Sequence, residues 1–168
     1  MAQTALAPLS PAGLWTARAP VCAVVQAPRR VTPKVLGGLA PLVLGGGRLL
    51  CVDAGNCFDP YAFSIQARRR GVDPEVVLDR ILVTRAFTIH QLEEVVTSDL
   101  PPQPLPPAPV LITVLGLDHL FLEETLPLWE RRQVLGRVLA RLSRLPEQGL
   151  MLLVTHEPPR GLSAWWRP

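Results

Sequence analysis

Several sets of residues have the types and spacing for chemistry. In "APRRVTPK", Ala27 to Lys34, the cations Arg29, Arg30 and Lys34 follow a short apolar run, a placement that attracts anions. In "TRAFTIHQLEEV", Thr84 to Val95, the residues Arg85, Phe87, His90 and Gln91 straddle the end of a predicted strand and the start of a predicted helix. Asp53, Asp118 and His156 also end or follow apolar runs. His90, His119, His156, Cys51 and Cys57 are metal-ligating types, but their spacing follows no zinc pattern, and Cys51 within its apolar run reads as core. Ser64, His90 and the acids make no recognisable nucleophilic triad, and G-x-S-x-G is lacking.

The elements that must position these residues alternate. "VCAVVQ", 21–26, "RLLCVDA", 48–54, "RILVTRA", 80–86, "VLITVLGL", 110–117, and "LMLLVT", 150–155, are continuous apolar runs expected to be buried strands. Between the first two, "APRRVTPK" is expected as a loop and "VLGGLAPLVLGG" as a short, glycine-interrupted helix. Asp59-Pro60 should open a helix reaching Arg70 and stopping at Gly71, and Asp73-Pro74 a shorter one to Asp79. Thr88 should cap a helix through Thr97, with Gln91 at capping-box spacing. "PPQPLPPAP", 101–109, has six prolines in nine residues and should be an extended connection. A long helix ending near Leu145 is expected to bury Leu135, Val138, Leu139 and Leu142, with Arg137, Arg141 and Arg144 on its other face. Strands and helices alternating in this way predict an α/β, three-layer architecture: a mostly parallel sheet of about five strands, covered on both faces. Asp53, Arg85, Asp118 and His156 then fall at the carboxyl ends of strands, where such sheets bind ligands.

Composition sets outer limits. The 168 residues suffice for one domain with a core, which apolar content of 48% and aromatic content of 5% make mainly aliphatic. No apolar run is long enough for a membrane span, and the first 20 residues show no secretory pattern. Cys22, Cys51 and Cys57 are a sparse, odd set, so a reducing, cytoplasmic setting is expected. The net charge is +3, and Lys34 is the one lysine among 17 basic residues. The expected divisions are an N-terminal arm at 1–20, a core domain at 21–157 and a tail at 158–168.

The ordered features from Val21 to Thr155 resemble the ATPase core of the RecA/RadA recombinase family. The sharpest part is "LLCVDAGNCFDPYAFSIQARRRGVDPEVVLDRILVTRAFTIHQLEEVV". There the family has a strand ending in an acid, a helix opened by proline, a short helix, a strand ending "aRAf" and a helix carrying "HQ". In this chain the matching positions are Asp53, Phe58, Pro60, Val77-Leu78-Asp79, Arg85-Ala86-Phe87 and His90-Gln91, with one residue fewer between Phe87 and His90. The resemblance implies a RecA-like P-loop fold. It places Arg85 and Gln91 near the edge where the family senses nucleotide, although helix capping by Thr88 and Gln91, and pairing of Arg85 with Asp53 or Asp118, are the structural roles expected here.

Against the same pattern, three working parts are missing. A phosphate loop needs G-x-x-x-x-G-K-[S/T], because backbone N–H groups wrap the phosphates. "APRRVTPK" has prolines instead and no glycine before Lys34. The water-polarising glutamate position holds Gly55, and the magnesium-side acid position holds Leu115, with Asp118 three residues late. Phosphoryl transfer depends on these groups for positioning and charge stabilisation, so ATP hydrolysis is not expected. No cofactor or metal is implied; Arg29, Arg30 and Lys34 remain a candidate anion site.

The flanks carry candidate contacts. Leu14-Trp15-Thr16-Ala17 stands where recombinases carry an aromatic-x-x-Ala element that docks on a neighbouring protomer, so Leu14, Trp15 and Ala17 are candidate docking residues. Trp165, Trp166 and Arg167 in the tail suit stacking on single-stranded bases, an interface anchor or an edge plug. With Arg137, Arg141 and Arg144 they are the candidate partner or DNA contacts. The expectation is a catalytically inactive RecA/RadA-like accessory or scaffold in DNA recombination or repair. Its expected partner is a protein, either a recombinase or a second copy, with DNA a weaker partner and a membrane none. The alternatives are a protein-binding regulator on the same scaffold, as in RecA-like cell-division inhibitors, and a nucleotide-binding enzyme with an altered phosphate loop.

Overall fold

The computed structural model describes residues 21–100, 110–122, 125–144 and 150–156. They form a five-stranded sheet whose spatial order is β1-β5-β4-β2-β3, with every pairing parallel. The strands are β1 (Val21–Ala27), β2 (Arg48–Asp53), β3 (Ile81–Arg85), β4 (Val110–Leu115) and β5 (Leu150–His156). The helices are α1 (Thr32–Leu44), α2 (Tyr61–Arg69), α3 (Pro74–Leu78), α4 (Ile89–Glu94) and α5 (Leu128–Leu142). The chain is thus α/β with a parallel sheet, and each predicted strand is present.

Side chains alternate between the two faces of each strand. On one face, Leu49 and Cys51 of β2 and Leu111 and Leu115 of β4 pack with Leu36, Leu39 and Val43 of α1, Phe63 of α2 and Val77 of α3. On the other, Leu50 and Val52 of β2 and Val110, Ile112 and Val114 of β4 pack with Leu92 of α4 and Val134, Val138 and Leu142 of α5. Burial on both faces explains why β2 and β4 read as unbroken apolar runs. In contrast, β3, at the sheet edge, is only partly buried with Leu82 63% exposed, and Val24 of the other edge strand, β1, is exposed, so these two are not the buried strands expected. Each fully buried Leu or Val contributes about 2 kcal/mol, enough to fix register against slippage.

The chain moves across the sheet one way through β1, β2 and β3, then back through β4 and β5. Its helices change face at that reversal, as right-handed crossovers require. The exit of β2 leads to one face and the exit of the adjacent β4 to the other. Asp53 and Leu115, partners in register, therefore flank the crevice where ligands of open parallel sheets usually sit.

Local signals set the helix ends. Asp59 Oδ1 accepts from Tyr61 N at 2.9 Å, the capping contact expected, although regular α2 begins at Tyr61, one residue later than predicted. Asp73 caps α3 through Glu75 N at 3.0 Å. Thr88 accepts from Gln91 N at 3.1 Å, while Gln91 Oε1 accepts from Phe87 N at 2.8 Å, a capping box displaced by one residue. The α4 segment ends at Glu94 and continues as a wider π-type turn over Val95–Asp99.

Three expectations are corrected. The predicted loop closes early: Arg29–Val31 form a 3₁₀ turn and α1 starts at Thr32, running past Pro41 in its interior. The buried stripe of α5 is Arg131, Val134, Val138 and Leu142, whereas Leu139 is 38% exposed and Leu135 only partly buried. The helix is rotated because its flank carrying Glu130, Arg137 and Arg141 meets α4 and the turn that follows it. Arg137 is exposed as expected, though tied to Glu93, whereas Arg141 is partly buried against the Leu100 carbonyl and not on the solvent face. Among the described residues, no helix is long and apolar enough to cross a membrane. The expected proline-rich connection at 101–109 lies outside the described residues.

Candidate functional site

Asp53 ends β2 and is buried. Its Oδ1 accepts from Cys57 N at 2.9 Å and its Oδ2 from Phe58 N at 3.0 Å. Arg85, in register on β3, places Nε 3.7 Å from Oδ2. The loop after β2 therefore folds back onto the acid that ends the strand. Asn56 turns it with a left-handed φ of 47°, a conformation Asn tolerates. Phe58 adds its ring, stacked on Phe63 at 6.0 Å between centroids.

Cys57 extends this network to α1. Its thiol donates to Asp53 Oδ1 at 3.7 Å and its sulfur accepts from the Thr32 hydroxyl. Burial first, then the Asp53 charge, pushes the Cys57 thiol up to about 12. Burial, reinforced by Asp53, holds the Cys51 thiol above the ordinary range as well. Both thiols are therefore poor nucleophiles at neutral pH.

The turn after β1 is closed by its own bonds. Val31 N donates to Pro28 O at 2.8 Å and Thr32 N to Arg29 O. Pro33, at the start of α1, has no N–H. Arg29 Nη2 donates to Asn56 O at 2.8 Å, tying this turn to the loop after β2. Arg30 is exposed. Lys34 lines a groove of about 450 Å³ between α1 and α2, with Gly37, Asp59, Ala62, Ile65 and Gln66. The three cations expected to hold an anion thus have separate settings: Arg29 serves a backbone carbonyl and Lys34 a groove that also presents an acid.

At the end of β4, Leu115 is fully buried, and its carbonyl accepts from Ala54 N and Gly55 N at 2.9 and 3.0 Å. Asp118 is buried in the loop beyond, at the start of a 3₁₀ turn over His119–Phe121, and is engaged by a neighbouring group. Arg85 therefore pairs with Asp53. Among the described residues, no group of three His, Cys, Asp or Glu side chains could hold a metal.

On the other face, His90 Nε2 lies 3.1 Å from Glu130 Oε1. Arg137 grips Glu93 with Nε and Nη2, the latter at 3.0 Å from Oε2. That hydrogen bond from Arg137 holds the Glu93 carboxyl below its usual range. Arg141 Nη2 donates to Leu100 O at 3.3 Å. These residues clasp α4 and its π turn to α5. Sequence reasoning missed the partners Glu93, Glu130 and Thr32, because the contacts join residues far apart in the chain and no local pattern marks them. Arg144 is exposed just past α5. Leu14, Trp15, Ala17, Trp165, Trp166 and Arg167 lie outside the described residues.

No protein-family model and no curated protein matches the sequence.

Proposed function

We propose that this protein is a non-hydrolysing relative of the RecA/RadA ATPase core, acting as a scaffold or accessory in DNA recombination or repair through contacts with another protein. What carries this reading is the turn after β1. A triphosphate is gripped by backbone N–H groups that point outward together. Here those of Val31 and Thr32 donate to the carbonyls of Pro28 and Arg29, and Pro33 has none.

The strand-end acid supports the same reading. Asp53 has both oxygens bonded to its own loop, so a nucleotide-bound metal or water would have to displace Cys57 N or Phe58 N. The residues retained from the family pattern hold strand ends together instead. A fold kept without its phosphate grip suits a protein that presents a surface.

The test is strand exchange by an active recombinase, with and without this protein, with ATP turnover measured in parallel. The expected result is an altered exchange rate with no turnover contributed by this chain. Turnover from this chain alone, or exchange unaffected at saturating protein, contradicts the proposal.

A further inference from the structure

At the edge of the sheet opposite the closed turn, α2 ends in Arg68 and Arg69 and is followed by Arg70, all exposed. The parallel topology brings Arg48, which opens β2, and Arg144, which follows α5, to the same edge, because α2 and α5 both run from the carboxyl ends of strands back to the amino ends. Arg48 and Arg144 are exposed too.

Among the described residues, none of these cations is neutralised by an ion pair. Arginine near a helix C-terminus often serves the last carbonyls. Here the chain does that itself: Val72 N donates to Ala67 O at 3.0 Å and Gly71 N to Arg68 O at 3.1 Å, a Schellman turn with Gly71 at φ 67°. Arg70 Nη1 donates to Gln66 Oε1 at 3.2 Å. The acids of the following turn, Asp73, Glu75 and Asp79, share this edge. Yet no ion pair within 4.0 Å forms to Arg48, Arg68, Arg69, Arg70 or Arg144 among the described residues. Adjacent guanidinium groups held on a rigid helix end repel one another and attract a polyanion.

We propose that this arginine edge binds the phosphate backbone of a nucleic acid. Guanidinium forks match phosphate oxygens two at a time, and the capped end of α2 holds the backbone of Arg68, Arg69 and Arg70 in place. An anionic membrane surface fits less well, since that requires an amphipathic helix with apolar residues beside the cations. Beside Arg68 and Arg69, α2 exposes a single large apolar residue, Ile65, with Tyr61 a further turn away, and one isoleucine is not the apolar face such a helix needs. The choice of DNA as the polyanion rests on the proposed function above; the arginine edge does not.

The test is fluorescence anisotropy of a labelled single-stranded DNA oligonucleotide, titrated with the full chain at several salt concentrations. The variant Arg68→Gln/Arg69→Gln is compared with Arg30→Gln/Lys34→Gln, which removes the same charge from the opposite edge, with urea midpoints confirming that both fold. Removing two phosphate contacts should flatten the salt slope by about 1.4 and weaken low-salt binding about tenfold, with the second variant close to wild type. Equal weakening by both variants, no weakening by the first, or binding to phosphatidylserine vesicles without binding to DNA overturns the proposal. A wild-type chain that binds no DNA also overturns it, while the strand-exchange test separately decides the scaffold reading.

Discussion

The Asp53 carboxylate lies 3.7 Å from Arg85 Nε, but its shorter bonds, at 2.9 and 3.0 Å, are to the N–H groups of Cys57 and Phe58. The acid is therefore first a loop anchor and only second an ion-pair partner. Its oxygens are buried, whereas Arg85 is half exposed and its charge is screened by water.

That ranking predicts unequal costs. Asp53→Ala leaves two partly buried donors without an acceptor and should lower stability by about 2–3 kcal/mol in urea unfolding. Arg85→Ala removes a solvent-screened partner and should cost no more than about 1 kcal/mol. An Arg85 variant as damaging as the Asp53 variant would mean that the ion pair, not the loop, is what Asp53 serves.

Cys57 should react slowly. With its thiol at about 12, only about one thiol in 10⁴ is ionised at pH 8, so alkylation should lag far behind an unfolded control. Asp53→Asn removes the second cause of the shift and should speed the reaction at constant burial. The linkage has a definite sign. The folded chain holds this proton above the ordinary thiol value of 9.0, so the contribution to stability is complete below pH 9 and fades as pH rises toward 12. Urea midpoints of Cys57→Ser should fall less steeply over that range than those of wild type.

The Glu93–Arg137 clasp should fail in acid. The folded Glu93 carboxyl titrates below its ordinary value of 4.5, so its contribution is present above that pH and lost as pH falls through the lower folded value. Wild type should therefore exceed Arg137→Ala in stability at pH 7, and the difference should shrink at pH 3 and in high salt. A difference independent of pH would assign the effect to packing of the arginine stem.

Two glycines should respond in opposite directions. Gly71 closes α2 at φ 67°, and Gly71→Ala should cost about 1 kcal/mol. Gly136 lies inside α5, where an added Cβ would meet nothing within 4 Å, so Gly136→Ala should raise stability by about 0.5–1 kcal/mol. Thermal unfolding of the two variants reads both signs.

Much of this architecture was legible because its determinants are local. Asp73-Pro74 and Thr88-x-x-Gln91 state their caps within a few residues, and strands buried on both faces announce themselves as apolar runs. The phase of α5 was not legible. Arg131 is buried, with Nη1 donating to Phe121 O at 3.1 Å, while Leu139 faces outward, so hydrophobicity alone points to the wrong stripe. Nor does any pattern announce that Thr32 would meet Cys57, since that contact depends on how α1 and the loop after β2 converge. Of the candidate site, pairing of Arg85 with an acid at a strand end was legible, but the choice of Asp53 over Asp118 was not, since it depends on the register of β2 with β3. Nor was the closure of the β1 turn onto its own carbonyls, since prolines alone do not specify a 3₁₀ turn.

The most direct measurement is isothermal titration of the folded chain with ATP at millimolar concentration, with and without magnesium. A turn whose N–H groups are spent on Pro28 and Arg29 should give no saturable, magnesium-dependent heat. Saturable binding that requires magnesium and disappears in Arg29→Ala/Lys34→Ala would contradict the account.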